Sequence, residues 1–330
     1  MELLGIAYRL ARNAFPQDSL NAEYVAAIQR HFAGVREHSF VRTLARLADS
    51  ASQAQGDLGG WEIPSLALHL GPAPAFEPLV DGTDTGDGWD DRSLLRPPLL
   101  QLLRDFYKDA NAEAFFQAER PYYSTVNDAY RQPSTTIDQS WIERFAGLAA
   151  TETYTPVVSL MALGLGDYIR VNFGKDRRNS HTIVGSVAYN VRGVLASPDA
   201  EFVARSSLHE AIHAYTNQIV DRHASELRGA AERLLSDPRV RERVRGTFYD
   251  NWRFLLYESL VRAVTIQYHA AMGGAANKDR EIAVQEGAGF LWMGGLVRAL
   301  DRYARERARY PDLSAFAPEL VRFFDREAGR

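Results

Sequence analysis

The sequence has 330 residues, 46% of them apolar and 24% charged, which is ordinary for a globular protein with a sizeable core. Its 38 basic and 42 acidic residues give a net charge of −4. Because no basic stripe offsets that charge, we expect no nucleic-acid partner. The sequence contains no cysteine. Disulfides, thiolate metal sites and a cysteine nucleophile are therefore excluded, and any metal must be held by His, Asp or Glu.

The N-terminal region shows the spacing of amphipathic helices. Residues 2–15, 21–35 and 38–51 each place apolar side chains three or four positions apart, and helical patterns resume from Leu99 to about Ala118 and from Ser140 to Ala150. The apolar positions are Leu3, Ile6 and Leu10, then Tyr24, Ile28 and Phe32, then Val41, Leu44 and Leu47. We expect residues 1–150 to form a mainly helical region.

Two stretches of this region are candidates for other motifs, a signal peptide and a calcium loop. Residues 1–13 carry a charge at Glu2 and lack the apolar run of a signal peptide, so we expect none in this sequence. Residues 71–98 are rich in Gly, Pro and Asp and read as a loop. A calcium loop starting at Asp81 is disfavoured, because Thr83 and Thr85 take ligand positions and Arg92 replaces the final Glu. We interpret that segment as a solvated acidic turn.

Residues 151–195 change character. Three short β-branched runs at 155–163, 167–174 and 181–191 predict a small antiparallel sheet, and the chain reads as helical again after about Pro198. The longest apolar run, 154–166, falls short of the roughly 20 residues that span a bilayer, so no membrane span is expected. The predicted fold is α+β and mostly helical. Residues 151–330 form a second region, packed with 1–150 as one unit around a central cleft.

The stretch SLHEAIHAYTN, residues 207–217, carries the chemistry. Residues four apart lie on the same side of a helix, so His209 and His213 point together and can share a tetrahedral ion. Glu210 is offset by one position, from which it can reach a water held on that ion. A surface helix with a chance histidine pair is the alternative. We predict a zinc site with His209 and His213 as ligands and Glu210 as catalytic base.

A third ligand must come from elsewhere, because Thr216 and Ile219 break the longer HExxHxxGxxH motif. The best candidate is Glu258, in an apolar helical stretch at 251–271 where a lone carboxylate is costly unless it is paired or binds metal. The apolar neighbours that indicate burial are Phe254, Leu255, Tyr257, Leu260, Val261, Val264 and Ile266. Asp250 is a reserve ligand, and Asp221 and Glu226 are weaker ones.

Arg262 lies one turn after Glu258 and allows two interpretations. It forms either an intrahelical salt bridge with Glu258 or a clamp on the free oxygen of a metal-bound carboxylate, and both can hold at once.

The motif HEAIHAYTN with a downstream helical Glu258 resembles the gluzincin zinc metallopeptidases, the thermolysin-like clan. Together with ELLGIAYRLARN and YESLVRA, it is similar to a family of uncharacterised bacterial gluzincin-like proteins, often exported. The resemblance implies a zincin-like fold with the sheet next to the HExxH helix. It also implies Zn²⁺ held by His209, His213 and Glu258, Glu210 as base, and a periplasmic or secreted location.

The sequence departs from that pattern at several points. In thermolysin-like enzymes an Asp stands one turn after the Glu ligand and orients a histidine; here the residue is Arg262, and Asn217 is a candidate for that support. Residues 221–245 read as an inserted, charged helical pair. The resemblance also implies a sheet-edge strand that binds extended substrate, either 167–174 or 181–191, with a purely structural strand as the alternative.

The function predicted is a zinc-dependent peptidase acting on a peptide or protein substrate. The alternatives are a non-catalytic zinc-binding or peptide-binding protein that retains the site, and a metal-free helical protein. The oligomeric state stays open. Candidates for a donor to the oxyanion are Tyr249, Tyr257, Tyr268, His269 and Arg262. The histidines not expected to be ligands are His31, His38, His69, His181 and His223.

Overall fold

The computed structural model describes residues 1–15, 22–53, 62–79, 92–134, 136–148, 153–161, 167–171, 180–185 and 200–329. The described part of the chain is mostly helical, as the sequence predicted. Most of the acidic turn at 81–92 lies outside the described residues. Within them, no helix is both long enough and apolar enough to cross a membrane.

Eight α-helices precede the sheet in the part of the chain that the structure describes. They are α1 (Glu2–Arg12), α2 (Ala22–His31), α3 (Ser39–Gln53), α4 (Ile63–Leu68), α5 (Pro97–Asp109), α6 (Ala112–Ala118), α7 (Arg120–Ser134) and α8 (Gln139–Ala146). The apolar stripes predicted for the first three are buried, with Leu47 partly so. Helices α4 and α7 were not predicted. Pro64 in α4 and the polar composition of α7, which also contains two prolines, hide their helical pattern.

The three strands are β1 (Thr153–Val158), β2 (Asp167–Val171) and β3 (Ser180–Gly185). The prediction of three strands here is confirmed, but the prediction that all of them run antiparallel is wrong. The order is β1-β3-β2, with β1 parallel and β2 antiparallel to β3. Because β3 is paired on both sides, it is not an edge strand. Among the described strands, a substrate-binding edge is left only to β1 or β2.

Among the residues described at 200–329, seven α-helices follow the sheet. They are α9 (Ala200–Arg222), α10 (Ala224–Ser236), α11 (Pro238–Val244), α12 (Trp252–His269), α13 (Lys278–Gly287), α14 (Met293–Arg305) and α15 (Leu313–Ala328). A 3-10 turn, Phe248–Asp250, precedes α12. Helices α10 and α11 confirm the predicted charged helical pair. The Asn251 side chain caps α12 by accepting from Arg253 N at 2.9 Å, which fixes where that helix begins.

The chain divides into two compact units. Unit 1 comprises Met1–Ile137 and Thr151–Ser207, and unit 2 comprises Asp138–Ala150 and Leu208–Arg330. The sheet thus belongs to the unit of the N-terminal helices, whereas the sequence grouped it with the C-terminal helices. The division follows packing, since α4 and α7 contact the strands. The expected central cleft stays a prediction.

Each unit has its own apolar interior. In unit 1, the ring of Phe32, just after α2, meets rings from α3, α5 and α6 at Phe40, Phe106 and Phe115, and all four are buried. In unit 2, α12 packs against α10, α13 and α14, and α10 also packs against α15. Helix α12 therefore lies at the centre of unit 2. That position places any polar side chain of α12 under strong pressure to find a partner.

Candidate metal centre

Helix α9 holds both motif histidines rigidly. Its predicted apolar face at Leu208, Ile212, Tyr215 and Ile219 is buried. Burial extends beyond that face, because Glu210, His213, Thr216 and Asn217 are also buried. The helix is therefore enclosed on several sides from Leu208 onward. A surface helix carrying a histidine pair does not describe this environment.

The two imidazole rings lie beside each other, as their spacing predicted. Their centroids are 5.0 Å apart and the ring planes meet at 80°. The Nδ1 atom of His213 donates to Asn217 Oδ1 at 3.0 Å. That bond places a proton on Nδ1, so Nε2 is the ring nitrogen that would bind a cation. Asn217 thus has the geometry of the supporting residue that the sequence proposed.

Glu258 reaches the histidines from α12. One oxygen, Oε1, lies 3.4 Å from Nε2 of His209 and 3.4 Å from Nε2 of His213. The side chain is only 12% exposed. The predicted apolar surroundings hold for Leu255, Leu260, Val261, Val264 and Ile266, which are buried. Phe254 is 43% exposed, so the prediction was wrong at that position and α12 keeps one edge in water.

The two 3.4 Å separations suit a shared ion better than a direct contact. Charge-assisted hydrogen bonds between nitrogen and carboxylate oxygen are usually about 2.7–2.9 Å long. Two ligands of a tetrahedral zinc, each about 2.0–2.1 Å from the metal, are about 3.3–3.4 Å apart. Oε1 of Glu258 therefore already stands at the length of a tetrahedron's edge from each of the two imidazole nitrogens. The donor set of two imidazoles and one carboxylate fits Zn²⁺.

Glu210 lies next to this triangle. Its Oε2 atom is 3.8 Å from Nε2 of His213, and one ligand atom each of His209, Glu210 and His213 fall within 4.8 Å of one another. Both acids are thus near the rings. Only Oε1 of Glu258 is at the same short distance from both of them. Glu258 is therefore the better placed of the two acids to be the third ligand, and Glu210 lies beside it.

The ionisation of the site follows from burial and charge. Burial raises the pKa of Glu210 above its ordinary value, although both histidines oppose the shift. Burial would also raise the pKa of Glu258, but the charges and hydrogen bonds of His209 and His213 outweigh it and hold that pKa well below the ordinary value. For His213, burial lowers the pKa, yet Glu258 and Glu210 together leave it raised.

Arg262 takes the other oxygen of Glu258. Its Nε and Nη2 atoms both lie 2.9 Å from Oε2, which confirms the predicted intrahelical ion pair. The guanidinium also donates to Gln285 Oε1 at 2.6 Å and to the Tyr249 hydroxyl at 3.0 Å. It lies over the rings of Tyr249 and Phe290. Sequence reasoning missed Gln285 and Phe290, since no spacing pattern links them to α12.

The other candidate ligands lie apart from the triangle. Asp221 accepts from the Tyr257 hydroxyl and pairs with Arg253. Glu226 pairs with His223 at 2.5 Å. Asp250 is exposed in the turn before α12. None of the three is among the described contacts of His209 or His213.

Most of the oxyanion-donor candidates have other partners. The Tyr257 hydroxyl donates to Asp221, and the Tyr268 hydroxyl accepts from Asp138 N at 2.8 Å. His269 pairs with Glu281 at 2.8 Å. Tyr249 accepts from Arg262, and burial raises its pKa, so its hydroxyl keeps its proton. The choice among the candidates stays open.

The remaining histidines make contacts of their own. His31 bonds the carbonyl of Ala110, and His69 bonds the carbonyl of Ser65. His38 lies 3.6 Å from Asp109. His181 is a residue of β3 paired with Tyr154 and Arg170, and its side chain is outside the described part.

Comparison with known proteins gives a family but no characterised relative. No curated protein and no solved structure matches the chain significantly. One family does match, over residues 88–323, which is more than two thirds of the 330 residues and includes the whole candidate centre. The chain belongs to the family described as Domain of unknown function (DUF4932).

Proposed function

We propose that this chain is a zinc-dependent peptidase of the gluzincin type. The observation that carries the proposal is the pair of equal 3.4 Å separations from Glu258 Oε1 to Nε2 of His209 and of His213. They match the edge of a zinc tetrahedron, and the three side chains supply the three protein ligands of a catalytic zinc site. His209, His213 and Glu258 would hold the ion.

Solvent access supports an open fourth position. The side chain of His209 is 24% exposed, against 9% for His213. Of the two rings, that of His209 is therefore the more accessible to solvent. A structural zinc site closes all four positions with protein atoms, whereas a catalytic site keeps one for water or substrate. The exposure of His209 favours the catalytic kind.

The chemistry divides between the ion and Glu210. When bound, zinc would lower the pKa of water to about 7 and polarise the scissile carbonyl. Glu210 takes the proton from the attacking water and passes it to the leaving amine. Burial raises the pKa of Glu210, so its carboxylate accepts a proton more readily than an exposed one. Such a carboxyl is suited to both halves of the transfer.

The competing function is a zinc-binding or peptide-binding protein without turnover. The position of Glu210 favours the peptidase. A carboxylate that is buried, raised in pKa and 3.8 Å from a ligand nitrogen costs stability, and a non-catalytic site has no use for it.

The first experiment measures metal content and turnover on the same purified chain. We expect inductively coupled plasma mass spectrometry to find about one equivalent of zinc per chain. We also expect the protein to cleave members of a peptide library. Glu210→Gln should abolish cleavage and keep the zinc. Glu258→Gln should lose both.

His223→Ala is the matched control. His223 pairs with Glu226 outside the centre, so this variant should keep zinc and activity. Zinc binding without cleavage in the wild type would favour the binding protein. A chain that binds no zinc would refute the metal centre altogether.

A further inference from the structure

The two oxygens of Glu258 have different partners. Oε1 faces Nε2 of His209 and of His213, while Oε2 is contacted by two nitrogens of Arg262 at 2.9 Å. The carboxylate is therefore divided between a ligand side and an arginine side. A carboxylate without such a partner can bind a cation through both oxygens.

Arg262 is itself held firmly. Each of its three guanidinium nitrogens has an acceptor among Glu258, Gln285 and Tyr249. Its Cζ atom lies 4.7 Å from the ring centroid of Phe290 and 5.2 Å from that of Tyr249. Stacking and a full set of bonds fix the plane of the group. The guanidinium can therefore fix the orientation of the Glu258 carboxylate.

From this arrangement we infer that Arg262 is a positioning residue that keeps Glu258 a one-oxygen ligand. The inference rests on the proposed metal centre and adds what sets its coordination number. With Oε2 held by Arg262, the protein supplies three ligand atoms and the fourth position stays free. If Oε2 were released, it would be close enough to bind the ion and occupy space that water or substrate needs.

A planar guanidinium is needed for this task. Two of its nitrogens meet one oxygen while the third reaches Gln285, which a lysine ammonium cannot reproduce from one point. Lysine at this position would keep the charge but lose the fixed geometry. Comparing the two substitutions therefore separates charge from orientation.

The test uses Co²⁺, whose visible absorption bands weaken as coordination rises from four ligands to five. The ion is titrated into metal-free wild type, Arg262→Met, Arg262→Lys and Tyr249→Phe. We expect intense bands for the wild type, much weaker bands for Arg262→Met and partial recovery for Arg262→Lys. Tyr249→Phe removes one acceptor of the guanidinium but keeps the ring, so it should weaken the bands least. If Arg262→Met does not fold, Arg262→Lys and Tyr249→Phe still test whether Arg262 sets the coordination number.

Activity with zinc gives a second readout. For Arg262→Met we expect kcat to fall roughly 10–100-fold, the usual cost of losing a partner behind a metal ligand, with a smaller change in KM. Arg253→Met is the control. Arg253 lies on the same helix but contacts Asp221 and Trp252, so its bands and kcat should match the wild type.

The outcomes separate the two proposals. If the wild type binds no Co²⁺, the metal centre fails and this inference with it. If the wild type binds Co²⁺ and all Arg262 variants show the same bands, the centre stands and the positioning role of Arg262 is refuted.

Discussion

Each compact unit contains a carboxylate with buried partners, Glu2 in unit 1 and Glu258 in unit 2, and the two carboxylates differ in the contacts of their oxygens. In unit 1, Glu2 accepts from the Tyr24 hydroxyl at 2.8 Å on one oxygen. Its other oxygen accepts from Ser159 Oγ at 2.7 Å and Leu160 N at 3.0 Å. In unit 2, only one oxygen of Glu258 is bonded by Arg262 at 2.9 Å, and the other stands 3.4 Å from two rings.

The contrast shows what distinguishes a structural acid from a candidate ligand. Glu2 has neutral donors at hydrogen-bond length on both oxygens, and it fastens α1 to the backbone that follows β1. In Glu258, one oxygen accepts hydrogen bonds from Arg262, and the other lies at equal distances from Nε2 of His209 and of His213. Burial of an acidic side chain alone therefore does not distinguish a structural acid from a candidate metal ligand. The informative feature is an oxygen that lies at the same long separation, 3.4 Å, from two imidazole nitrogens.

The largest effect should come from removing the charge of Glu258. Glu258→Gln is expected to lower zinc affinity at least about 100-fold, beyond the roughly 10–100-fold cost of losing an outer partner. At zinc concentrations 100 times the wild-type Kd, the wild type should gain about 2.7 kcal/mol of unfolding free energy and the variant almost none. Urea unfolding with and without zinc measures this. Glu226→Gln, an exposed acid paired with His223, is the control. Equal zinc stabilisation in both variants would contradict the assignment.

Asn217 should come next, because it holds the His213 ring through Nδ1. Asn217→Ala is expected to weaken zinc binding by roughly 10–100-fold, and Asn217→Asp to restore it, since a carboxylate accepts the same bond. Competition against a chelating dye measures both constants. Unchanged affinity in Asn217→Ala would show that the bond does not orient the ligand.

Protons should compete with the metal in a defined pH range. The pKa of His213 is raised above its ordinary value of 6.5 in the metal-free protein, so protons compete with zinc for this ring up to a higher pH than they do for a free imidazole. Apparent affinity should rise with pH until the raised pKa is passed, by up to about tenfold per pH unit. Chelator competition at several pH values tests this. A flat profile would contradict the coupling.

The raised pKa of His213 also determines the direction in which the unfolding free energy of the metal-free protein changes with pH. A raised histidine pKa adds stability that is fully present below 6.5 and is lost as the pH rises through the raised value. The depressed pKa of Glu258 adds stability that is lost only as the pH falls through that low value. The metal-free chain should therefore gain from this pair between the two pKa values.

The smallest effect on metal should come from Glu2. Glu2→Gln replaces one accepting oxygen with an NH₂ group that faces other donors, so we expect a loss of about 1–3 kcal/mol of unfolding free energy and no change in zinc affinity. Urea unfolding and the dye assay check the two parts. Glu23→Gln, on an exposed face of α2, should alter neither. A change in zinc affinity for Glu2→Gln would remove the distinction between the two acids.

The sequence predicted the parts of the site that depend on local geometry. Spacing of four placed His209 and His213 together, and a lone acid in an apolar helix identified Glu258. Spacing also predicted the Arg262 ion pair. The contacts of Arg262 with Tyr249, Gln285 and Phe290 join α12 to a turn and to segments further along the chain. Such contacts depend on tertiary packing, which periodicity does not encode.

The fold shows the same limit. The apolar stripes of α1, α2 and α3 were readable because each helix buries one side. Three strands were readable from β-branched runs, but their directions were not, since a short apolar run carries no information on its partner's direction. Hence β1 lies parallel to β3 where an antiparallel sheet was expected. Whether the fold is zincin-like stays a prediction.

The length of chain between the two ligand helices has a further consequence. His213 and Glu258 are 45 residues apart, since 258 minus 213 is 45, and α10 and α11 both lie within that stretch. A zinc ion bound by both His213 and Glu258 would cross-link the chain. Closing a 45-residue loop contributes about 4 kcal/mol to the unfolding free energy on the chain-entropy scale. Stripping the ion would then loosen α10 and α11 as a segment, so that protease resistance of this stretch would report occupancy.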